Sequence, residues 1–256
     1  MEGKVYAGPL KNACSPGLNC YSCPGALTSC PIGALQAVIG SARYWYSMYV
    51  VGILGVFGLV LGRWICGYLC PFGWFQEWLF KIKSRKCTLP SWTKKIKYVL
   101  LVVFVLLLPT LVTNVIGMGD PAYCKYICPV GTLEGGIPLI LMNDFLKQAL
   151  GFLFFWKLGI LAMVIIASVL VYRPFCKVLC PLGAIYALFN KVSLYRYHVD
   201  IEKCVRCNRC AQVCKMDVVM YKTPNHTECI RCGDCKSICP TSAITSGINI
   251  DKAKSL

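Results

Sequence analysis

Acidic residues are scarce in this chain. Eleven Asp and Glu face 27 Lys and Arg across 256 residues, and only 15 % of positions carry charge, well below the roughly 25 % of a soluble globular domain. Histidine is scarcer still. His198 and His226 are the two present and both follow the last apolar run, so a haem gripped by paired histidines inside a bilayer is excluded. No phosphate-binding loop, dinucleotide fingerprint or nucleophile elbow can be found, which removes nucleotide-driven and acyl-transfer chemistry. The opening MEGKVYAGPLKNA lacks a basic segment leading into an apolar run, so a secretory leader is not expected. Apolar residues fill the space: 57 % of positions are hydrophobic and mean hydropathy is +0.59. A core of this size cannot hide that much apolar surface, and a membrane is expected to take the remainder.

Cysteine is the other excess, at nineteen residues. Disulfide scaffolds are short and secreted, whereas the spacings here are those of metal sites. Residues 204–215 read CVRCNRCAQVCK and residues 229–240 read CIRCGDCKSICP. Each run separates three cysteines by two residues and adds a fourth three residues on, the pattern that wraps a [4Fe-4S] cluster, with the fourth cysteine crossing to the other cluster. One cluster is therefore expected on Cys204, Cys207, Cys210 and Cys239, and a second on Cys229, Cys232, Cys235 and Cys214. Zinc, the rival for four thiolates, usually takes two CxxC knuckles instead. The stretch resembles a bacterial-type ferredoxin. Lys215 stands where that pattern usually has the proline kept at Pro240, and a cation beside a cluster is expected to raise its potential.

Three apolar runs, 44–62, 98–119 and 151–172, each approach the ~20 residues that cross a bilayer as helix. Lys157 lies near the start of the third beside Trp156 and reads as a side chain snorkelling to the headgroups. Pro109 and Asn114 fall inside the second, where neighbouring helices can satisfy freed backbone groups. Arg63, Lys81, Lys83, Arg85, Lys86, Lys94, Lys95 and Lys97 crowd the first connection, against Lys125 and Lys147 in the next. The positive-inside rule places the former in the cytoplasm, the C-terminal module with it, and residues 1–40 outside.

The chain also repeats itself. RWICGYLCPFG at 63–73 recurs as RPFCKVLCPLG at 173–183, and CPIGALQ at 30–36 is echoed by CPVGTLE at 128–134, which implies two related halves. Cys66, Cys70, Cys176 and Cys180 fall at the inner ends of spans, and two CxxxCP turns supply the four thiolates that one cluster needs. The proline stops each helix and frees the backbone to curve around the metal; cysteines merely packed in the membrane are the alternative. The outer set is Cys14, Cys20, Cys23, Cys30, Cys124 and Cys128. A fourth cluster is expected there on Cys23, Cys30, Cys124 and Cys128, with Cys14 and Cys20 left as a disulfide or free. Cys20 and Cys23 could also act as a CxxC pair, and an all-disulfide outer face is the rival. Cys87 reads as an ordinary thiol. FGWFQEWLFKIK at 72–83 reads as a helix in the headgroup region, and Glu77 and Glu134 are placed to accept a quinol proton. The fold expected is an all-α integral membrane bundle of three spans with CP-turn iron-sulfur motifs, plus a small α+β two-cluster ferredoxin module. It divides into an outer cysteine segment at 1–40, a membrane domain at 41–195 and the ferredoxin module at 196–256.

Taken together, the CP turns, spans and C-terminal module, from about residue 14 to residue 245, resemble the membrane-bound polyferredoxins. That family includes the membrane component of periplasmic nitrate reductase systems and the membrane part of nitrous-oxide reductase regulators. The resemblance implies electron transfer at the cytoplasmic membrane, often with quinol as one terminus, and Cys66, Cys70, Cys176 and Cys180 match the family's signature. Such proteins tend to have a further N-terminal span. An electron-transfer subunit is expected rather than a stand-alone enzyme; a redox-sensing or assembly factor and a quinone or metal reductase are the rivals. The partners expected are membrane lipid, quinone, a redox partner subunit and an acidic soluble donor such as ferredoxin or flavodoxin, docking on Lys203, Arg206, Arg209, Arg231 and Lys236. Nucleic acid is not expected, because the charge lies beside membrane spans. Spans of ~20 residues set the two faces about 30 Å apart, so an electron moving directly between them would need CP turns that dip into the bilayer, an additional carrier or a partner.

Overall fold

The computed structural model describes residues 8–40, 45–112, 119–148 and 151–248; Asn114 and the edges of the apolar runs at 44 and 113–118 lie outside them. Helices dominate, and their boundaries follow the CP turns. Cys30 and Cys70 each stand immediately before a helix that opens on proline, Pro31–Ile39 and Pro71–Phe80, and Pro181–Phe189 opens the same way. Proline suits that first position because its fixed φ is helical and its missing N–H would have had no partner there. The CxxxCP motifs add a five-residue helix ahead of the break: Trp64–Tyr68 carries Cys66, Ala122–Tyr126 carries Cys124 and Pro174–Val178 carries Cys176.

The first and third apolar runs become the helices Trp45–Leu61 and Phe152–Leu170. The second is broken. It runs as α-helix Ile96–Leu100, a π-helix Leu101–Leu107 and a last α-helical turn Leu108–Leu111, ending where Val112 turns extended. Pro109 explains the wide segment: a proline ring crowds the carbonyl four residues back and offers no N–H, and a π-turn makes room for both defects. The same device recurs where the π-helix Gly131–Gly136 precedes Pro138 in Ile137–Met142. Among the described residues, Phe152–Leu170 is the one helix with the length and apolarity to cross a membrane.

Two compact units emerge, Met1–Leu54 with Cys70–Leu182, and Gly55–Leu69 with Gly183–Leu256. In the first, Pro71–Phe80 packs on Phe152–Leu170, with Phe72 edge-on to Phe175 at 5.0 Å and Phe80 edge-on to Tyr172 at 5.3 Å. Trp74 and Trp78 of the same helix face outward, as an amphipathic helix requires.

In the second unit, β1 (Tyr195–Val199) pairs antiparallel with β2 (Ile244–Ile248), and the short helices Arg209–Gln212 and Asp234–Ser237 lie in the sequence between them. Positive φ values recur at Arg206 and Arg231, at Asn208 and Gly233, and at Asp217 and Ser242, so the two cysteine runs repeat in backbone as well as in sequence. Gly55–Leu69 belongs to this unit rather than to the membrane domain drawn from the sequence, and polar bonds show why. Arg63, fully buried, places a guanidinium N–H 2.7 Å from Glu228. Asn190 donates to the carbonyls of His226 and Cys229 at 2.7 and 3.0 Å and accepts the Arg63 N–H at 3.3 Å. Arg231 donates to the Leu61 and Asn190 carbonyls and to Ser193 Oγ at 2.8, 3.0 and 2.7 Å. Gly62, at φ +57, leaves the space that these groups fill. Arg231 is thus not on the docking surface where its charge had placed it: it is 1 % exposed, drawn inward by three acceptors.

Removing the carboxylate opposite Arg63 should be costly, because breaking a buried ion pair leaves a charge without compensation, at about 3–5 kcal/mol. Thermal unfolding of Glu228→Gln is expected to show a clear drop in Tm, while Glu202→Gln at an exposed position leaves Tm unchanged.

Candidate metal centres

In the second unit, Cys204, Cys207, Cys210 and Cys239 line one cavity together with Tyr221, Pro240 and Ile244. The fourth cysteine therefore comes from the other run. Cys229, Cys232 and Cys235 each lie within electrostatic reach of Cys214. Burial drives Cys229 up to about 11 and Cys235 up to about 12. A buried thiol does not readily ionise unaided, and a bound metal group would favour the thiolate form of these cysteines. Left-handed residues recur at matching positions of the two cysteine runs, the backbone class from which anion-binding nests are built. Among the described residues no three Cys, His, Asp or Glu side chains close on a single ion. Four thiols around a cavity suit a cluster.

The CP turns of the first unit are held by two glutamines that the sequence reading passed over. Gln76 donates to Cys176 Sγ at 3.3 Å and to the Phe72 carbonyl at 3.2 Å, and accepts the Phe175 N–H at 3.1 Å. Gln36 donates to Cys124 Sγ and the Ile32 carbonyl, both at 3.3 Å, and accepts the Tyr123 N–H at 3.0 Å. Both amides are 0 % exposed. The signal was available as CPxGxxQ, present at 30–36 and again at 70–76. Each CP helix thereby grips the other motif's first cysteine and the amide in front of it. Arg173, Lys177 and Lys97 are buried in the same unit, and Arg173 pairs with Glu77 at 2.7 Å, so Glu77 is held as an ion pair. Buried cations of this kind suit an anionic cluster.

Cys20, Cys30, Cys124 and Cys128 come together: each of the last three feels the charge of Cys20. Burial pushes Cys128 up to about 12 and raises Cys124, Cys30 and Cys20 as well. Cys23 is half-buried in the turn that follows Cys20, donating its N–H to the Cys20 carbonyl at 3.1 Å. Cys14 lies 3.4 Å from Ser29 Oγ, and none of the nineteen cysteines is in a disulfide. Glu134, whose pKa burial raises, accepts the Cys20 N–H at 2.9 Å. Lys157, expected to snorkel, finds an acceptor within its own unit. Its ammonium donates to the Cys124 carbonyl at 3.1 Å, because the Cys124 turn offers an acceptor alongside the helix.

Tyr123 links the two sets of CP turns. Fully buried, it donates its hydroxyl to the Leu179 carbonyl at 3.1 Å, next to Cys180, while its backbone leads directly into Cys124. The spacing along the second apolar run agrees. Ile96–Leu100 packs on Pro174–Val178 and Leu101–Leu107 on Ala122–Tyr126, an axial separation of roughly 9 Å at 1.5 Å per residue. The 30 Å expected from whole spans assumed turns at opposite faces; here the turns approach each other within the unit.

Comparison with known proteins now adds the family. Residues 42–90, 98–137 and 152–198 match the family described as 4Fe-4S binding domain, and residues 223–245 match a second family of the same description. The first set takes in just over half of the chain, which therefore belongs to that 4Fe-4S binding family. The uncharacterized protein MJ0750 of Methanocaldococcus jannaschii is 29 % identical over 194 residues, 74 % of either chain. A protein of Escherichia coli (strain K12) named, provisionally, electron transport protein YccM is 26 % identical over 62 % of this chain and 43 % of its own. The methylamine utilization ferredoxin-type protein MauN of Methylorubrum extorquens is 28 % identical over 72 % of this chain and 59 % of its own. The chain thus spans less than two thirds of YccM and of MauN. No solved structure matches it.

Outer-shell partners of metal ligands are worth about 10–100-fold in metal retention. Gln36→Leu and Gln76→Leu are each expected to lose iron to a chelator about 10–100-fold faster than wild type, read as bleaching of the visible iron-sulfur absorbance, with the corresponding Glu variants in between.

Proposed function

We propose that this chain is a membrane-embedded electron relay, passing electrons from a soluble donor through thiolate-held clusters to an acceptor in or across the membrane. The observation that carries the reading is Tyr123, one buried side chain joining the turn of Cys180 to the turn of Cys124. A bound [4Fe-4S] cluster supplies a one-electron carrier. The ligands proposed are Cys204, Cys207, Cys210 and Cys239; Cys214, Cys229, Cys232 and Cys235; the CxxxCP cysteines Cys66, Cys70, Cys176 and Cys180; and a fourth set around Cys30, Cys124 and Cys128. Within the second unit, Tyr68 donates to the Cys232 carbonyl at 2.8 Å, and a Cβ on Gly67 would meet the Ile230 carbonyl at 2.9 Å. The Cys66 helix is thereby pressed against the second cysteine run, which supports a step between them.

Three membrane spans fit the outward apolar faces: Val56, Leu59 and Val60 on the first run, Val99, Val102, Leu107 and Leu111 on the second, and Phe155, Met163 and Ile166 on the third. Exposed apolar side chains in such number on each helix suit a lipid or protein partner. The Lys and Arg asymmetry supports a cytoplasmic ferredoxin-like end, where exposed Lys203, Arg206, Arg209 and Lys236 would receive an acidic donor. A cleft of about 1060 Å³ reaches Cys30 and Cys124 between Ala34, Val38, Tyr49 and Val50, and its apolar walls suit a quinone as acceptor, which takes up protons as it is reduced. A regulatory reading is favoured by one relative, the regulatory protein NosR of Pseudomonas aeruginosa, 28 % identical over 63 % of this chain and 21 % of its own.

Vesicles holding a trapped acceptor and reduced from outside by dithionite test the relay. Transfer is expected, slowed in Tyr123→Leu and close to wild type in Tyr123→Phe, which keeps the ring. Reducible clusters with no acceptor reduction would overturn the relay and leave the regulatory reading.

A further inference from the structure

We infer that Cys20, not Cys23, is the fourth ligand of an iron-sulfur site completed by Cys30, Cys124 and Cys128. The inference rests on the proposed cluster at that site and deepens it. Its basis is an internal two-fold relation between the segments 30–36 and 128–134. The glycine three residues after each CP cysteine has no side chain, and a thiol from another segment is among the atoms facing the gap, beside Cys30 Cβ at Gly33 and Lys157 Nζ at Gly131. A Cβ on Gly33 would lie 3.9 Å from Cys124 Sγ, and a Cβ on Gly131 would lie 3.7 Å from Cys20 Sγ.

The residue six places after each CP cysteine repeats the relation. Gln36 holds the Cys124 thiol at 3.3 Å and the Tyr123 N–H in front of it at 3.0 Å; Glu134 holds the Cys20 N–H at 2.9 Å. Cys20 therefore stands to the Cys128 turn as Cys124 stands to the Cys30 turn. Gly135 extends the cradle, since a Cβ there would meet Cys20 Sγ at 3.4 Å. One thiol from each short segment and one from each CP turn make the four-thiolate set a cluster requires. The carboxylate at 134, where Gln36 has an amide, can accept a backbone N–H but gives Cys20 Sγ no donor.

The test is iron counting and low-temperature EPR on the anaerobically purified full chain. Wild type is expected to hold about 16 iron, four per cluster. Cys20→Ser should fall to about 12 iron or shift the g-values of one cluster, and Cys23→Ser should do neither. Signals of the C-terminal clusters, unchanged in both variants, report that the chain has folded. Full iron and unshifted g-values in Cys20→Ser, or a loss in Cys23→Ser as large as in Cys20→Ser, would overturn the inference. Cys128→Ser separates the two claims: if it too leaves iron and EPR unchanged, the site holds no cluster at all, whereas its loss beside an intact Cys20→Ser contradicts only the choice of ligand.

Discussion

A buried amide that touches both a thiol and the backbone N–H ahead of it fixes the first unit of this molecule. Gln36 and Gln76 make the same three bonds in two places, to their own helix, to a distant cysteine and to the residue before it. A neutral amide can do this in an apolar interior, where a charged group would be expensive to bury. Two-point recognition sets the register of one CP helix against the other motif. With the turns locked, Tyr123 is held between them, its hydroxyl on the Leu179 carbonyl.

The second unit solves the same problem with backbone rather than amide side chains. Two cysteine runs with left-handed residues at matching positions wrap their loops without needing a large core, and the two-stranded sheet joins the ends of the module. Asn190, Arg63, Glu228 and Arg231 then tie Gly55–Leu69 to the second run. Most donors and acceptors there find one another, while Arg63 Nε and Arg231 Nε stay buried without a hydrogen-bond partner, a cost the remaining bonds of the cluster have to outweigh.

Covalent spacing was legible in the sequence; partnership was not. The CxxCxxCxxxC runs and CxxxCP turns point to their chemistry because ligand geometry is largely local, and the pattern expects Cys239 beside the first run, where it lines a cavity with Cys204, Cys207 and Cys210. The glutamines were missed because their partners lie 88 and 100 residues away, and a lone Gln in an amphipathic helix carries no periodic signal. Arg231 was assigned to the surface by charge alone, although the acceptors at Leu61, Asn190 and Ser193 could be known only from the fold. Lys157 was read through its neighbour Trp156 when the Cys124 carbonyl was the deciding contact. Hydropathy found the second run but not its break, since Pro109 alters the helix through its missing N–H rather than through polarity.

The claim on which the rest depends is that the two sets of CP turns hold clusters close together, with Tyr123 between them. Low-temperature EPR of the fully reduced protein tests it most directly. Paramagnetic clusters at that separation should broaden and split each other's signals, and the interaction should persist in a variant whose C-terminal clusters have been removed. A spectrum that is the plain sum of isolated, non-interacting signals would contradict it.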